Sequence, residues 1–237
     1  MTKEFIDINN NISPKIITVG NEETPVIIID DFAIDTKNII DDACENSSFT
    51  IDNNSFYPGL RSKLPKPYVI SVLQKIYQGI CHVYKIPTQL QLKPQDTYYS
   101  LITNTKEELD LIQRMPHFDT SRPFYFAILH YLNDKPHGNT GFFRHIPTGL
   151  EKIEDNNVED YLNSAQKFID INGEPEQEYC TSTSAHFELY HEIEYKPNRL
   201  VIYPGHLLHS TIVCPNTDIN SDPKVGRLTA NIFIEFK

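Results

Sequence analysis

The sequence predicts a mainly β fold with flanking helices, an α+β arrangement in which helices buttress a sheet-rich body. Three observations predict it. From about Leu90 the chain breaks into short runs rich in β-branched and aromatic residues, separated by turn residues. Helical spacing of apolar residues is concentrated in the first ninety residues, and the one later helix of any length is read over Val158–Ile169. The aromatic set, Tyr 13 and Phe 13 against Trp 0, suits a pleated, half-buried surface.

The elements follow in order. The opening is Asn-rich and loosely held to about Ser13. Thr24–Phe32, a β-branched run bounded by Pro and Asp, reads as a buried strand. Asp35 is placed to cap a helix over Thr36–Glu45, with Ile39, Ile40 and Ala43 on one side. Residues 46–65 read as loop. Lys66–Tyr84 carries Val69, Val72, Leu73, Ile76, Ile80 and Val83 at helical spacing, and Pro87 stops it. Strands are then predicted over Gln95–Thr103, at His117, and over Phe124–Leu132, Thr140–Arg144, Arg199–Tyr203, Leu208–Val213 and Leu228–Phe236. Thr105 and Glu108 form a capping-box pattern opening a short helix through Leu109 and Ile112.

At 237 residues the chain is ordinary for one domain with a substantial core, and no internal repeat or linker divides it. We read one domain over 1–237, with an N-terminal strand and buttressing helices in 1–90, a strand-built core in 91–237 and an insertion over about 146–196. A net charge of −11, with Lys and Arg scattered, argues against a nucleic-acid backbone or an anionic membrane as partner. The N-terminus lacks an apolar leader, and no stretch approaches the roughly 18 apolar residues of a membrane span. The expectation is a cytoplasmic protein. Cys44, Cys81, Cys180 and Cys214 show no CxxC pairing and read as reduced thiols.

The most informative pattern is His117-x-Asp119, followed ninety residues on (209 − 119) by His209. On an extended strand, side chains at i and i+2 point to one face, so His117 and Asp119 present an imidazole and a carboxylate to a single point. Two His and one carboxylate on one face of a metal is the arrangement of non-haem Fe(II) oxygenases. His206 and His209 compete for the third position. His206 follows Pro204-Gly205 in a turn, whereas His209 opens a β-branched strand, which favours His209. In the last strand Arg227, Thr229 and Asn231 share one face and Leu228, Ala230, Ile232 and Ile234 the other. An inward guanidinium is costly unless it meets an anion, and its fork suits a carboxylate. Pairing with one of the protein's own acidic residues would serve as well.

A wider set of motifs occurs in order: Tyr57-Pro58-Gly59-Leu60-Arg61, Pro116-His117-Phe118-Asp119, Ala127 to Asn133, Gly138 to His145, Asn198 to Pro204, and Leu208-His209-Ser210. Together they resemble the DUF6445 type, a family of bacterial proteins related to the Fe(II)/2-oxoglutarate dioxygenases. More distantly, Tyr131-Leu132-Asn133 with the turn after it resembles the prolyl-hydroxylase branch. The resemblance covers about 55–236. It implies a double-stranded β-helix (jelly-roll) core and a hydroxylase using Fe(II), 2-oxoglutarate and O₂, with ascorbate helpful. It implies His117, Asp119 and His209 as the iron ligands and catalytic centre. Arg227 and Tyr131 would take the distal carboxylate of 2-oxoglutarate, with Thr229 or Asn231 assisting. A carboxylate at Asp119 fits hydroxylation, where halogenating relatives carry a small residue. Arg61, Arg144, His145 and Arg199 recur in the set, and Arg144 and His145 are candidate substrate contacts. The substrate would be a small molecule, a peptide or a protein side chain, with no nucleic acid or membrane. Three departures stand out: the turn reads Gly-Asn-Thr-Gly, the 146–196 segment is long, and Arg227 lies eighteen residues after His209 (227 − 209). The competing readings are a cupin-like metal-binding sensor without turnover and a purely structural jelly-roll module.

Overall fold

A computed structural model of the chain describes residues 5–53 and 55–237. The first four residues of the Asn-rich opening, and Asn54, lie outside the described residues. In chain order the elements are β1 (Asp7–Ile8), β2 (Lys15–Val19), β3 (Thr24–Ile29), β4 (Ala33–Asp35), α1 (Lys37–Glu45), β5 (Thr50–Ile51), β6 (Gly59–Lys63), α2 (Lys66–Val83), β7 (Leu92–Ile102), β8 (Tyr125–Tyr131), β9 (Thr140–His145), α3 (Val158–Asn172), β10 (Phe187–Ile193), β11 (Leu200–Pro204), β12 (His209–Thr211), α4 (Pro215–Asp218) and β13 (Thr229–Phe236). Short 3₁₀ turns cover Lys106–Glu108 and Leu111–Arg114.

A major sheet runs β2-β3-β11-β8-β13-β7-β6-β5, and a minor sheet runs β10-β9-β12. A bridge between His117 and His209 adds a fourth track to the minor sheet. From β7 onward the antiparallel chain passes between sheets: β7 in the major, His117 in the minor, β8 in the major, β9 and β10 in the minor, then β11, β12 and β13 in alternation. Ala127, Leu129, Tyr131, Val201 and Tyr203 of the major sheet share one buried cluster with Phe142 and Ile193 of the minor sheet. The two sheets therefore face each other, and the core is a double-stranded β-helix.

Strand alternation decides what each face meets. On β13 and the residue before it, Leu228, Ala230, Ile232 and Ile234 join Phe126 and Ile128 of β8 in the outer core. Tyr68, Val69, Val72, Leu73, Ile76 and Ile80 of α2 cover that core, with Ile39 and Ala43 of α1. This is why β8 is buried along its whole length: helices cover one face and the second sheet the other. A third cluster joins Phe143, Phe187 and Leu208 to Tyr161 of α3, on the far side of the minor sheet.

The structure corrects several local expectations. The stretch 46–65, read as loop, contains β5 and β6. The sequence of β6, Gly-Leu-Arg-Ser-Lys, is too polar to announce a strand, and its extension comes from pairing with β7. The 146–196 segment is not wholly an insertion, because β10 lies in it and is a strand of the minor sheet. Its half-buried, bulged edge hid the alternation. The His117 strand is reduced to a single bridge. Thr36 rather than Asp35 is the N-cap of α1, although the Asp35 carboxylate still accepts from Lys37 N at 2.5 Å. The Thr105–Glu108 capping box forms but opens a 3₁₀ turn. All four cysteines are free. Among the described residues no helix is long and apolar enough to cross a membrane.

Candidate metal centre

His117 and His209 form a hydrogen-bonded antiparallel pair, each backbone N–H donating to the other's carbonyl at 2.9 and 2.8 Å. Residues opposite one another in such a pair project to the same side, and the two rings lie 4.3 Å apart between centroids. Two residues on, Asp119 N donates to Gly205 O at 2.7 Å, which draws its side chain to the same point. Gly205 is required there, since a Cβ would stand 3.1 Å from Asp119 Oδ2 and 2.7 Å from the Tyr125 ring. One ligand atom from each of His117, Asp119 and His209 lies within 4.8 Å of the others. The sheet register thus brings together the three residues that the sequence pattern singled out. His206 is buried in the neighbouring turn and outside this cluster.

The protonation pattern suits metal ligation. His209 Nδ1 lies 2.9 Å from Leu207 O, so Nδ1–H donates to that carbonyl and Nε2 carries the free lone pair. Nε2 lies 4.0 Å from Asp119 Oδ1. Asp119 Oδ2 is buried without a hydrogen-bond partner. His117 opens onto a cavity yet is ringed by protein. That enclosure, followed by the nearby His209 and Arg61, pushes its pKa well below 6.5 and keeps the imidazole neutral. Burial raises the Asp119 pKa, offset in part by His209 and Arg61. A carboxylate oxygen orphaned beside two imidazoles is a donor set that a divalent transition metal satisfies.

The centre opens into a cavity of about 690 Å³ lined by His117, Asp119 and Arg61 among mostly apolar and aromatic residues. α3 supplies one wall through Tyr161, Leu162, Ala165, Gln166 and Ile169, so part of the 146–196 segment does face the site. Tyr203, to which no sequence motif assigns a role, packs edge-on against His209 with centroids 4.9 Å apart.

The four residues expected at the co-substrate lie on the inner face of the major sheet and are not part of the cavity lining. Thr229 is opposite Tyr131 in the register, and Tyr131 Oη pairs with Thr140 Oγ1 at 2.7 Å. Asn231 donates to Ser100 Oγ and Thr229 Oγ1. Arg227 is buried, with Nε donating to Gly138 O at 2.9 Å and its guanidinium 5.4 and 5.7 Å from the Tyr131 and Tyr195 rings. Among the described residues its Nη2 has no acceptor. The long spacing from His209 is taken up by α4, which buries Asp218 beneath the turn that holds Arg227. Asp218 accepts from His137 Nδ1, Gly138 N and Cys214 N. Despite burial, those bonds and the Arg227 charge leave its pKa lowered.

Arg144 and His145, read as candidate substrate contacts, do not line the cavity. Arg144 forms ion pairs with Glu151 and Glu188, and His145 is buried against Tyr161 and Phe187. Both end β9, where successive side chains take opposite faces: His145 shares the Phe143 face against α3, and Arg144 takes the other face, where two carboxylates hold it. Arg199 is held by Asp30. Conversely, Tyr57 and Arg61 line the cavity, and the recurrence of their motif was the only sequence signal for them.

The chain belongs to the DUF6445 family, a family of unknown function whose model matches residues 10–234. No curated protein matches the chain. Among solved structures it is similar to HygX from Streptomyces hygroscopicus with nickel and 2-oxoglutarate bound, at 13% identity and a TM-score of 0.48, covering 90% of this chain and 84% of that one. It is also similar to an N-substituted L-amino acid dioxygenase from Burkholderia ambifaria AMMD, at 10% identity and a TM-score of 0.42, covering 96% and 95%. AviO1 from Streptomyces viridochromogenes Tue57 matches at 9% identity and a TM-score of 0.41, covering 99% and 91%. These likenesses are too distant to carry chemistry to this chain.

Proposed function

We propose that this DUF6445 member is a single-domain Fe(II)/2-oxoglutarate-dependent oxygenase that hydroxylates a substrate held in the cavity beside His117 and Asp119. The observation that carries the reading is the convergence of two imidazoles and one carboxylate at a cavity floor, with Asp119 Oδ2 buried and unpartnered. His117, Asp119 and His209 are the residues that would hold the metal, leaving positions open for a bidentate co-substrate and O₂. When bound, iron and 2-oxoglutarate supply an oxidation of a C–H bond by O₂, with 2-oxoglutarate decarboxylated to succinate.

The chain's own residues bind, orient and exclude water. The Leu207 carbonyl holds His209 in the tautomer that presents Nε2. Asp119 fills the position of a carboxylate ligand and so favours hydroxylation over halogenation. Arg227 receives the distal carboxylate of 2-oxoglutarate, with Tyr131 beside it and Thr229 and Asn231 completing that face. The support for Arg227 is its buried, unmet Nη2, since a desolvated guanidinium nitrogen without an acceptor is costly until an anion arrives. The apolar cavity wall keeps water from the reacting position. The substrate is a small molecule, a peptide or a protein side chain.

The test is direct. Purified protein should bind one Fe(II), with Ni(II), Co(II) or Zn(II) as substitutes. With Fe(II), ascorbate and O₂ it should form succinate from 2-oxoglutarate slowly even without substrate, and Asp119→Ala should abolish that turnover. Protein that holds iron and 2-oxoglutarate yet forms no succinate under any substrate screen would be a sensor instead.

A further inference from the structure

We propose that Arg61 is the anion-recognition residue of the substrate cavity, so that the substrate carries a carboxylate on an apolar body. The oxygenase reading supplies the chemistry done on that substrate; the binding itself rests on geometry separate from the metal.

The register puts Arg61 in the working row of the sheet. Arg61 lies opposite Ser100, Ser100 opposite Thr229, and Thr229 opposite Tyr131. Residues paired in this way share a face, so Arg61 projects to the same side as the residues expected at the co-substrate, two strands away from Thr229 at roughly 5 Å per strand. Gly59 is what allows β6 to reach this position. A Cβ there would stand 2.1 Å from Leu101 O, so no other residue lets the strand pair so closely with β7.

The guanidinium is held for recognition. It lies 4.5 Å from the Tyr57 ring and 5.1 Å from the Tyr98 ring, which fixes its plane. Nη1 donates to Asp52 Oδ2 at 3.0 Å and to Ser55 Oγ at 3.1 Å. Among the described residues Nη2 makes no hydrogen bond and the buried Nε has no acceptor. An Arg that served only to anchor Asp52 would not need a cavity wall, two clamping rings and an unused side of its fork.

Arg61 is the only Lys or Arg among the described residues lining the cavity. The acidic groups of the lining are otherwise engaged: Asp119 belongs to the metal cluster, and Asp96 is paired with Lys63. The cavity mouth, in contrast, is apolar. Phe56, Ile112 and Leu162, from three separate segments, are 64%, 45% and 55% exposed and all line it. Exposed large apolar groups grouped around one opening mark a binding surface. A half-buried guanidinium on the wall of an apolar enclosure, paired with Asp52 through Nη1 alone, selects an anionic headgroup on an apolar body.

The experiment uses the full chain loaded with Ni(II) and 2-oxoglutarate, titrated calorimetrically with 3-phenylpropionate and with its neutral isostere 3-phenylpropionamide. The wild-type protein is expected to bind the carboxylate about tenfold or more tightly than the amide, as a charge-assisted hydrogen bond implies. Arg61→Gln should erase that preference while metal and 2-oxoglutarate affinities stay within about threefold. Should Arg61→Gln fail to fold, Arg61→Lys should keep a weakened carboxylate preference, because a point charge replaces the fork. Equal affinities for the two probes, no binding of either, or a preference intact in the folded Arg61→Gln variant each overturn the proposal. So does loss of 2-oxoglutarate binding in place of probe binding, which would make Arg61 the co-substrate's residue. Wild-type protein that binds neither metal nor 2-oxoglutarate would sink the oxygenase reading alone, because the two probes still compare Arg61 on the metal-free protein.

Discussion

On its outer side the last strand presents Leu228, Ala230, Ile232 and Ile234 to the core beneath α1 and α2; on its inner side, offset by one residue each time, come Arg227, Thr229, Asn231 and Phe233. The outer face is complete in itself. Its buried histidine, His130, uses both ring nitrogens, with Tyr68 Oη at 2.9 Å and Asn198 Oδ1 at 3.1 Å. The inner face is not complete. His209 spends one ring nitrogen on Leu207 O and keeps the other, and Asp119 Oδ2 and Arg227 Nη2 are buried without partners. Each such atom costs about 1–3 kcal/mol relative to a satisfied one. A fold retains that cost where a ligand removes it, so the contrast separates the outer core, which serves stability, from the space between the two sheets, which serves function.

The contrast breaks most sharply at the metal. Asp119→Ala and His209→Ala should each lower metal affinity by more than the roughly 10–100-fold attached to outer-shell partners, read by metal analysis after dialysis. His206→Ala should change it less than about threefold; the reverse pattern would move the third ligand into the turn. On the outer face, Ile232→Ala should cost about 2–5 kcal/mol of unfolding free energy in urea and leave metal stoichiometry intact. A metal defect there would mean that the two faces are not independent.

Two buried histidines outside the metal cluster predict a pH dependence that does not involve the metal. Burial holds His130 and His145 at a pKa of about 4, below the 6.5 of an unfolded chain. Between those values the unfolded state binds more protons, so stability is fully present above pH 6.5 and falls as the pH drops toward 4. His130 alone accounts for about 3 kcal/mol across that window. Urea unfolding of wild type and His130→Gln at pH 7 and pH 4.5 should show a shallower loss in the variant; parallel losses would assign the acid sensitivity elsewhere. The smallest effect belongs to the co-substrate. Arg227→Ala should weaken 2-oxoglutarate binding about tenfold or more, from a charge-assisted contact of about 1.5–3 kcal/mol, with metal binding unchanged. An unchanged affinity would transfer the carboxylate to Arg61.

Much of this was legible in the chain because it depends on local period. The two-faced pattern of residues 227–234 and the helical stripe of α2 each follow from backbone geometry that a single segment carries. What stayed hidden depends on partners. β6, polar and next to the edge, and β10, at the edge, are extended because β7 and β9 offer them hydrogen bonds. Arg144 and Arg61 looked alike as motif arginines, yet one is consumed by Glu151 and Glu188 and the other lines the cavity. Their difference is set by strand pairing and pleat.

The sequence by itself determined the candidate ligand types, their order along the chain and the alternation that separates a core face from a candidate working face, since side-chain direction repeats every two residues on any strand. Only the tertiary structure decided that His209 stands opposite His117, that Gly205 admits Asp119 to the same point, and that Arg61 shares a row with Thr229 and Tyr131. Those relations are set by register between segments distant in sequence, and a one-residue slip would turn every one of these side chains to the opposite face.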